Sequence, residues 1–481
     1  MRFNVILRYV GTVMLCVAVF MAVASVISLI SSRDSSFYPL LLSSLLTLLL
    51  GLFPRLFVKK AENITNKEGF VIVAGSWILS CFVGMFPYLI WGGEFSFINA
   101  WFESVSGFTA TGATILNDIE ALPRGLLFWR SSTVWIGGVG VVMFALLILP
   151  SLGTNKMALS NVELSSLAKD NYRYRTQIIV RILLVVYFGL TLITTLLLKL
   201  AGMTWFDAVN HAMSACATGG FSTRTASISY YNNVWVEMIV MGAMLLSSIH
   251  FGLIYGTFLG KVNNIFRSEV VKVYLLIIAA VSFVIAVSLY AADIYPSIFT
   301  SLRHSVFQVV SLISTTGFAT ANTNLWTPLA ILLLIFVSIV CACAGSTSGG
   351  LKVDRLLMFA KLLRMKISQQ QHPNAVIRIR VDGVTQDHNH LHTVVLFISS
   401  YLFIIFLASV VNMIFGQDLL TGFTSAVSCL GNVGPAFGEV GSMNCYSELP
   451  FVLKIQDTIL MLMGRLEIFG FIQLLFIKWW R

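Results

Sequence analysis

Long apolar stretches recur along the chain and are separated by short, more polar loops. Because about 20 consecutive apolar residues are needed to cross a bilayer as a helix, these stretches predict membrane-spanning helices. The predicted spans lie near residues 5–31, 38–58, 69–92, 126–150, 178–201, 233–259, 270–292, 326–344, 393–415 and 452–477. The first stretch has a longer apolar run than an ordinary signal peptide, so we interpret it as a retained helix.

Four shorter segments lie between predicted spans, at residues 95–108, 205–216, 297–313 and 418–430. With about 12 to 17 residues each, they are too short to cross the membrane and predict re-entrant helices. Each segment has an acidic or polar residue near its start that suits a helix N-terminus, and each ends in small residues before a glycine.

A glycine-containing polar interruption follows each short segment. The four interruptions are "TATGAT" (109–114), "ATGGFST" (217–223), "STTGFATAN" (314–322) and "GNVGPAFG" (431–438). Two spanning helices and one re-entrant segment return the chain to its starting side, so all four interruptions are expected on the extracellular side. The pattern predicts an all-α polytopic membrane protein with four parallel helix–pore-loop–helix repeats around a pseudo-fourfold pore. Two extra transmembrane helices precede the repeats.

The repeat plan divides the chain into five parts. The predicted boundaries are 1–62 for the two leading helices, 63–155 and 156–262 for the first two repeats, 263–385 for the third repeat with an intramembrane loop, and 386–481 for the fourth.

Composition supports a membrane protein: 57% of the residues are hydrophobic and 11% are charged, whereas soluble domains carry about 25% charged residues. The net charge of +10 does not indicate nucleic-acid binding, because Lys and Arg gather in alternate loops, near 55–60, 156–181, 261–272 and 352–380. By the positive-inside rule, these loops and both termini are expected in the cytoplasm. We therefore expect a multi-pass protein of the cell inner membrane whose basic loops meet membrane lipid or a cytosolic partner.

Irregular backbone is tolerated at membrane depth only where it is buried in protein or lines water. Four glycine interruptions around one axis would direct backbone carbonyls into a channel, where they can replace the hydration shell of a monovalent cation. The short helices would point their C-terminal ends, which carry partial negative charge, at the same axis. No carboxylate is needed to attract the ion.

In these four loops, the repeat plan and the two leading helices, the whole chain resembles the Trk/Ktr/HKT superfamily of potassium transporters, and its length resembles the TrkH-type transmembrane subunit. The resemblance implies an ion selectivity filter formed by Ala110, Thr111 and Gly112, by Ala217, Thr218 and Gly219, by Thr315, Thr316 and Gly317, and by Asn432, Val433 and Gly434. Potassium, the implied substrate, would contact Thr111, Thr218, Thr316 and Val433. The fourth loop departs from the pattern, with Asn-Val before its glycine and Pro435 after it, so selectivity is expected to be looser than in a strictly symmetric filter.

The segment "GSTSGG", Gly345, Ser346, Thr347, Ser348, Gly349 and Gly350, interrupts the chain after the span 326–344. Its glycines cannot sustain a stable helix, each costing about 1 kcal/mol relative to Ala. It is either an ordinary helix end or, as the resemblance implies, an intramembrane gate loop below the filter.

Arg465 lies deep within the last predicted helix, where a charge is costly and marks a functional candidate. The resemblance implies that it faces the pore as a barrier to cations. The alternative is a structural ion pair with Glu467 or Asp457.

No nucleotide-binding or catalytic motif is found, so an enzyme and an organic cofactor are not expected. The resemblance implies a homodimer that is controlled by a cytosolic nucleotide-binding regulatory ring of the TrkA type. Potassium uptake through a pore is the favoured function. A sodium- or proton-coupled potassium symporter with the same pore remains open, as does a non-transport membrane anchor subunit.

Overall fold

The computed structural model describes residues 2–59, 65–148, 176–260, 264–373 and 377–475. Three predicted domain boundaries, after residues 62, 155 and 262, lie outside these residues, as do the ends of the spans predicted at 126–150 and 452–477. The basic residues Lys60, Lys156, Lys169, Arg173, Arg175 and Lys261 also lie outside them.

Helices dominate the described residues. In chain order, they are α1 (Phe3–Ile30), α2 (Phe37–Phe57), α3 (Asn66–Gly84), α4 (Phe86–Trp91), α5 (Phe97–Phe108), α6 (Arg124–Ile148), α7 (Thr176–Leu200), α8 (Trp205–Cys216), α9 (Val234–Ser247), α10 (Phe251–Phe258), α11 (Glu269–Ala291), α12 (Ile298–Ile313), α13 (Pro328–Val340), α14 (Val353–Gln371), α15 (His388–Ile414), α16 (Leu419–Gly431), α17 (Phe451–Arg465) and α18 (Ile468–Leu475). A two-stranded antiparallel hairpin, β1 (Arg380–Val381) and β2 (Val384–Thr385), precedes α15. Short 3-10 turns cover Ser227–Tyr231, Thr323–Leu325 and Gly438–Val440.

Six helices in the described part of the chain are long and apolar enough to cross a membrane, or seven if one bent pair counts as a single span. Three of the ten predicted spans differ from the helices of the described residues. The span 233–259 is bent by 103° between α9 and α10. The span 326–344 already ends at Val340, and the span 452–477 breaks after Arg465 into α17 and α18.

Large apolar side chains are exposed on the surface of the described residues, and the interior holds polar side chains beside an apolar core. Leu49 and Phe53 are both 65% exposed, whereas Glu103 and Thr316 are fully buried. A bundle surrounded by lipid has this distribution, because apolar side chains face hydrocarbon and the interior holds the irregular backbone.

Four short helices, α5, α8, α12 and α16, occupy the predicted re-entrant segments. Each begins at the expected polar residue, whose side chain accepts a hydrogen bond from a backbone N–H in the first turn; these N-caps are Ser96, Thr204, Ser297 and Asp418. The prediction of polar N-termini is confirmed. Capping satisfies donors that the first helical turn leaves free.

The short helices also connect the repeats. We call the helix that follows a short helix and its glycine loop the outgoing helix. Each short helix packs against neighbours in its own repeat and against the outgoing helix of the preceding repeat: α8 on α6, α12 on α9, α16 on α13, and α5 on α17. The last contact joins the end of the chain to the first repeat. This arrangement brings the four C-terminal ends, and the loops that follow them, together.

Candidate pore-loop ring

The four glycine loops share one backbone conformation. In each loop a residue with a left-handed φ is followed, two positions later, by a glycine with a positive φ. The pairs are Ala110 (51°) and Gly112 (87°), Thr218 (54°) and Gly220 (68°), Thr315 (58°) and Gly317 (83°), and Asn432 (53°) and Gly434 (100°). Glycine reaches this region without the steric penalty that a Cβ carries.

A repeated hydrogen bond fixes each loop to the end of its short helix. The N–H of the residue between the two positive-φ positions donates to a serine carbonyl five residues earlier. The bonds are Thr111 to Ser106 (2.9 Å), Gly219 to Ser214 (3.0 Å), Thr316 to Ser311 (2.9 Å) and Val433 to Ser428 (2.9 Å). The four loops are therefore equivalent residue by residue.

This equivalence corrects the predicted register of the second loop. Its signature glycine is Gly220 rather than Gly219, because Gly220 has the conformation of Gly112, Gly317 and Gly434. Gly219 takes the position of Thr111, and Ala217 ends the helix as its C-cap, outside the equivalent triplet. The sequence has two adjacent glycines here, and the prediction assigned the signature position to Gly219 rather than to Gly220.

The four loops contact one another in a closed ring. At each signature glycine, an added Cβ would collide with a carbonyl oxygen of the next loop: Gly112 with Gly219, Gly220 with Thr316, Gly317 with Val433, and Gly434 with Thr111. The same four glycines line a single cavity of about 500 Å³ on the side away from the helix ends. The carbonyls of Thr111, Gly219, Thr316 and Val433 are thus the oxygens closest to the junctions between loops.

The fourth loop is held by side chains that the others lack. Asn432 donates from Nδ2 to Thr111 Oγ1 at 2.9 Å and to the carbonyl of Met461 at 3.0 Å. The hydroxyl of Tyr446 donates to the carbonyl of Gly434 at 2.9 Å. These bonds accommodate Pro435, which has no backbone N–H to offer.

The segment 345–350 lies directly against the helix-end side of this ring. Thr347 Oγ1 is 3.2 Å from the carbonyl of Cys216 and 3.3 Å from Thr218 Oγ1. The N–H of Gly349 donates to Thr315 Oγ1 at 3.0 Å. The segment is therefore packed under the second and third loops rather than extended as a helix end.

Charged side chains surround the other face of this segment. Lys352 Nζ donates to Ser348 Oγ at 3.1 Å. Arg465, which is 8% exposed, donates to the carbonyls of Thr347 at 2.8 Å and Gly137 at 2.7 Å. Arg465 thus joins the segment to α6 across the interior.

The two carboxylates considered as partners of Arg465 are engaged elsewhere. Glu467 forms an ion pair with Arg355 at 2.7 Å, and Asp457 accepts a hydrogen bond from Ser425 at 3.2 Å. Glu467 follows the helix break with a φ of 59°.

Sequence reasoning missed one buried ion pair beside the ring. Arg130 Nε lies 2.8 Å from Glu103 Oε1, and the two side chains are 1% and 0% exposed. Arg130 falls inside a predicted span and Glu103 inside a short helix. A charged residue in a membrane segment marks a functional candidate, and the prediction applied this criterion to Arg465 but not to Arg130 or Glu103.

Comparison with known proteins identifies the relatives of this chain. The family model for TrkH, described as a cation transport protein, matches residues 43–479. The Trk system potassium uptake protein TrkH of Halomonas elongata is 35% identical over 424 residues, covering 87% of each chain. The protein of the same name from Salmonella typhimurium is 33% identical over 430 residues, covering 88% of each. The crystal structure of the potassium transporter TrkH from Vibrio parahaemolyticus superposes with a TM-score of 0.89 at 29% identity over the whole of both chains.

These relatives are named as transporters rather than enzymes, and the match to the solved structure covers the whole chain. The chain therefore belongs to the TrkH family of cation transport proteins.

Proposed function

We propose that this protein takes up potassium across the bacterial inner membrane through the ring of four glycine loops. The observation that carries the proposal is the closed ring itself, in which each signature glycine lies against a carbonyl of the next loop. Backbone carbonyls replace the hydration shell of a monovalent cation. The second loop contributes through Gly219 in place of the predicted Thr218.

The electrostatics of the ring favour a cation without any acidic side chain in the loops. Residues 109–114, 217–223 and 314–322 contain no Asp or Glu, and neither does 431–438. The short helices end at the loops, so their partial negative charges add to those of the carbonyls. Proteins of the same family that are named for potassium uptake support potassium as the ion.

We infer that the segment 345–350 closes the pathway below the ring. It hydrogen-bonds to the second and third loops, packs at Gly349 against Gly431 and Asn432 of the fourth, and is also held by Arg465. The helix that follows the segment, α14, begins at Val353 and lies within the basic region 352–380. We propose this region as the cytoplasmic docking surface for a regulatory ring of the TrkA type. A homodimer with both termini in the cytoplasm completes the proposed assembly.

A non-transport anchor subunit that binds a cofactor would need a histidine with a ring nitrogen free for ligation. In the short helix α8, both ring nitrogens of His211 are engaged, one by the carbonyl of Asp207 and the other by Ser222 Oγ. Coupling to sodium or protons uses the same ring, and flux into liposomes with and without imposed sodium and proton gradients distinguishes it from passive conduction.

Ion selectivity tests the ring directly. Purified protein in liposomes is expected to pass potassium and rubidium well, and sodium and lithium less well by only a modest factor, because the fourth loop differs from the others. Calcium should not pass. Equal potassium and calcium permeation in bilayer recordings would remove the basis for a carbonyl-lined filter.

Removing the Thr347 hydroxyl tests whether the segment 345–350, which we call the closing segment, blocks the pathway. Replacement by Val keeps the shape but removes hydrogen bonds to the carbonyls of Cys216 and Ser247. With about 0.5–1.5 kcal/mol lost per bond, basal potassium flux should rise several-fold. Ser346→Ala is the matched control, because Ser346 Oγ bonds to the carbonyl of Cys343 just before the segment and to Ser348 Oγ within it, and these partners belong to none of the glycine loops. Unchanged flux per folded molecule in the Thr347 variant would indicate an ordinary helix end.

A further inference from the structure

The buried ion pair between Glu103 and Arg130 joins the first short helix to the first outgoing helix. Glu103 lies on α5 and Arg130 on α6, and their closest atoms are 2.8 Å apart. Both side chains are shielded from solvent. Burying two charges is costly, and replacing such a pair by apolar side chains is often neutral for stability. Stability alone therefore does not explain the pair.

Glu103 fixes the segment that follows the first signature glycine. Its carboxylate accepts hydrogen bonds from the N–H of Ile115 at 3.1 Å and from Thr114 Oγ1 at 3.0 Å. Thr114 and Ile115 come two and three positions after Gly112. The first loop is thus held at its outer end by a carboxylate that does not face the pathway.

Arg130 extends the same network to the second loop. Its guanidinium donates to the carbonyl of Ser222 at 3.2 Å and to Thr114 Oγ1 at 3.3 Å, and it stacks over the Phe221 ring at 4.2 Å. Phe221 and Ser222 follow Gly220 directly. One planar guanidinium therefore spans the junction between the first and second loops.

From these contacts we propose that Glu103 and Arg130 are positioning residues that determine cation specificity by fixing the spacing of the first two loops. The inference rests on the proposed function. The carbonyl of Gly219 lies against Gly112 at this junction, so a shift of either loop changes the number and distance of oxygens around the ion. An arginine is suited to this role because its rigid fork bonds several acceptors in one geometry.

A second ion pair at the next junction provides the matched control. Arg303 on α12 and Glu237 on α9 are 2.6 Å apart and also join a short helix to an outgoing helix, here the one of the preceding repeat. The two side chains hydrogen-bond to each other. This pair is partly exposed and bonds to no glycine loop in the described network.

The experiment compares two double variants in liposomes, measuring the potassium-to-sodium flux ratio and the melting temperature. Glu103→Leu with Arg130→Met removes the brace while filling its volume. We expect the flux ratio to fall about tenfold, equivalent to about 1.4 kcal/mol, with little change in melting temperature. Glu237→Leu with Arg303→Met should keep the wild-type ratio.

A folded Glu103/Arg130 double variant with the wild-type flux ratio would overturn the inference and leave the proposed function intact. If that variant does not fold, the same measurements are made on Arg130→Lys. Lysine keeps the positive charge but lacks the planar guanidinium that bonds Glu103 and Ser222 together. A wild-type ratio in Arg130→Lys would again overturn the inference, and a lowered ratio supports it. Wild-type protein without any potassium preference would overturn the proposed function and the inference together.

Discussion

Replacing Gly317 by Ala is expected to lower potassium flux about tenfold and to reduce the preference for potassium over sodium. The φ of Gly317 is 83°, where a Cβ costs about 1–2 kcal/mol. The new methyl group would also collide with the carbonyl of Val433 and with the ring of Pro435. Because these atoms belong to the fourth loop, the collision would spread the ring instead of being absorbed by a flexible side chain. Flux and ion preference in liposomes provide the measurement.

Gly92→Ala separates a filter defect from simple backbone strain. Gly92 has a φ of 80°, and no atom lies within 4 Å of the Cβ it would gain. Both variants place a Cβ at a positive φ, but only the Gly317 variant, whose Cβ meets the fourth loop, should lose flux and selectivity. Matching losses of flux in both variants would show that strain alone is responsible and would count against the ring as the filter.

Arg465→Ala is expected to raise cation flux about tenfold. The guanidinium holds the carbonyls of Thr347 and Gly137, so its removal frees the closing segment and deletes a positive charge beside the pathway. An arginine at the bilayer centre costs about 2.5–3.5 kcal/mol by insertion scales, which makes a purely incidental position improbable on energetic grounds. The stability loss should be about 1.5–3 kcal/mol, as for a hydrogen bond with a charged partner. Lower yield without increased flux would assign Arg465 a structural role instead.

Arg465→Lys distinguishes the two contributions of this side chain. Lysine keeps the positive charge but cannot reach both carbonyls through a planar fork. If the charge is the barrier, the lysine variant should conduct like the wild type. If the clamp on Thr347 holds the segment closed, the lysine variant should leak like the alanine variant.

The helical plan followed from the sequence because local chemistry specifies it. Apolar length determines which segments can span lipid, and the polar caps Ser96, Thr204, Ser297 and Asp418 start the short helices whatever surrounds them. Three of the predicted signature glycines, Gly112, Gly317 and Gly434, have the positive φ that the shared loop conformation requires. The bends between α9 and α10 and after Arg465 fall within predicted spans. Ser247, Ser248 and His250 interrupt the first span, and Arg465 and Glu467 interrupt the second, but a polar interruption alone does not distinguish a bend from a continuous helix.

The second loop shows a signal that was present in the sequence but not used. A serine stands six residues before each signature glycine, at Ser106, Ser214, Ser311 and Ser428, only if Gly220 is chosen. The segments "GGFST" and "TGFAT" also align on Gly220 and Gly317. The spacing marks the register, although the hydrogen bond that closes each loop uses the backbone carbonyl of the serine and does not itself require that side chain.

The sequence by itself determined the membrane class, the repeated short helices and the glycines that permit the loops, since these depend on hydrophobic length, capping and backbone freedom. Only the tertiary structure decided which carbonyl faces which glycine, that Arg465 bonds to Thr347, and that Glu103 and Arg130 brace neighbouring loops. These contacts join residues from different repeats, up to 328 positions apart in the chain. Their geometry depends on how whole helices pack, and no local pattern encodes it.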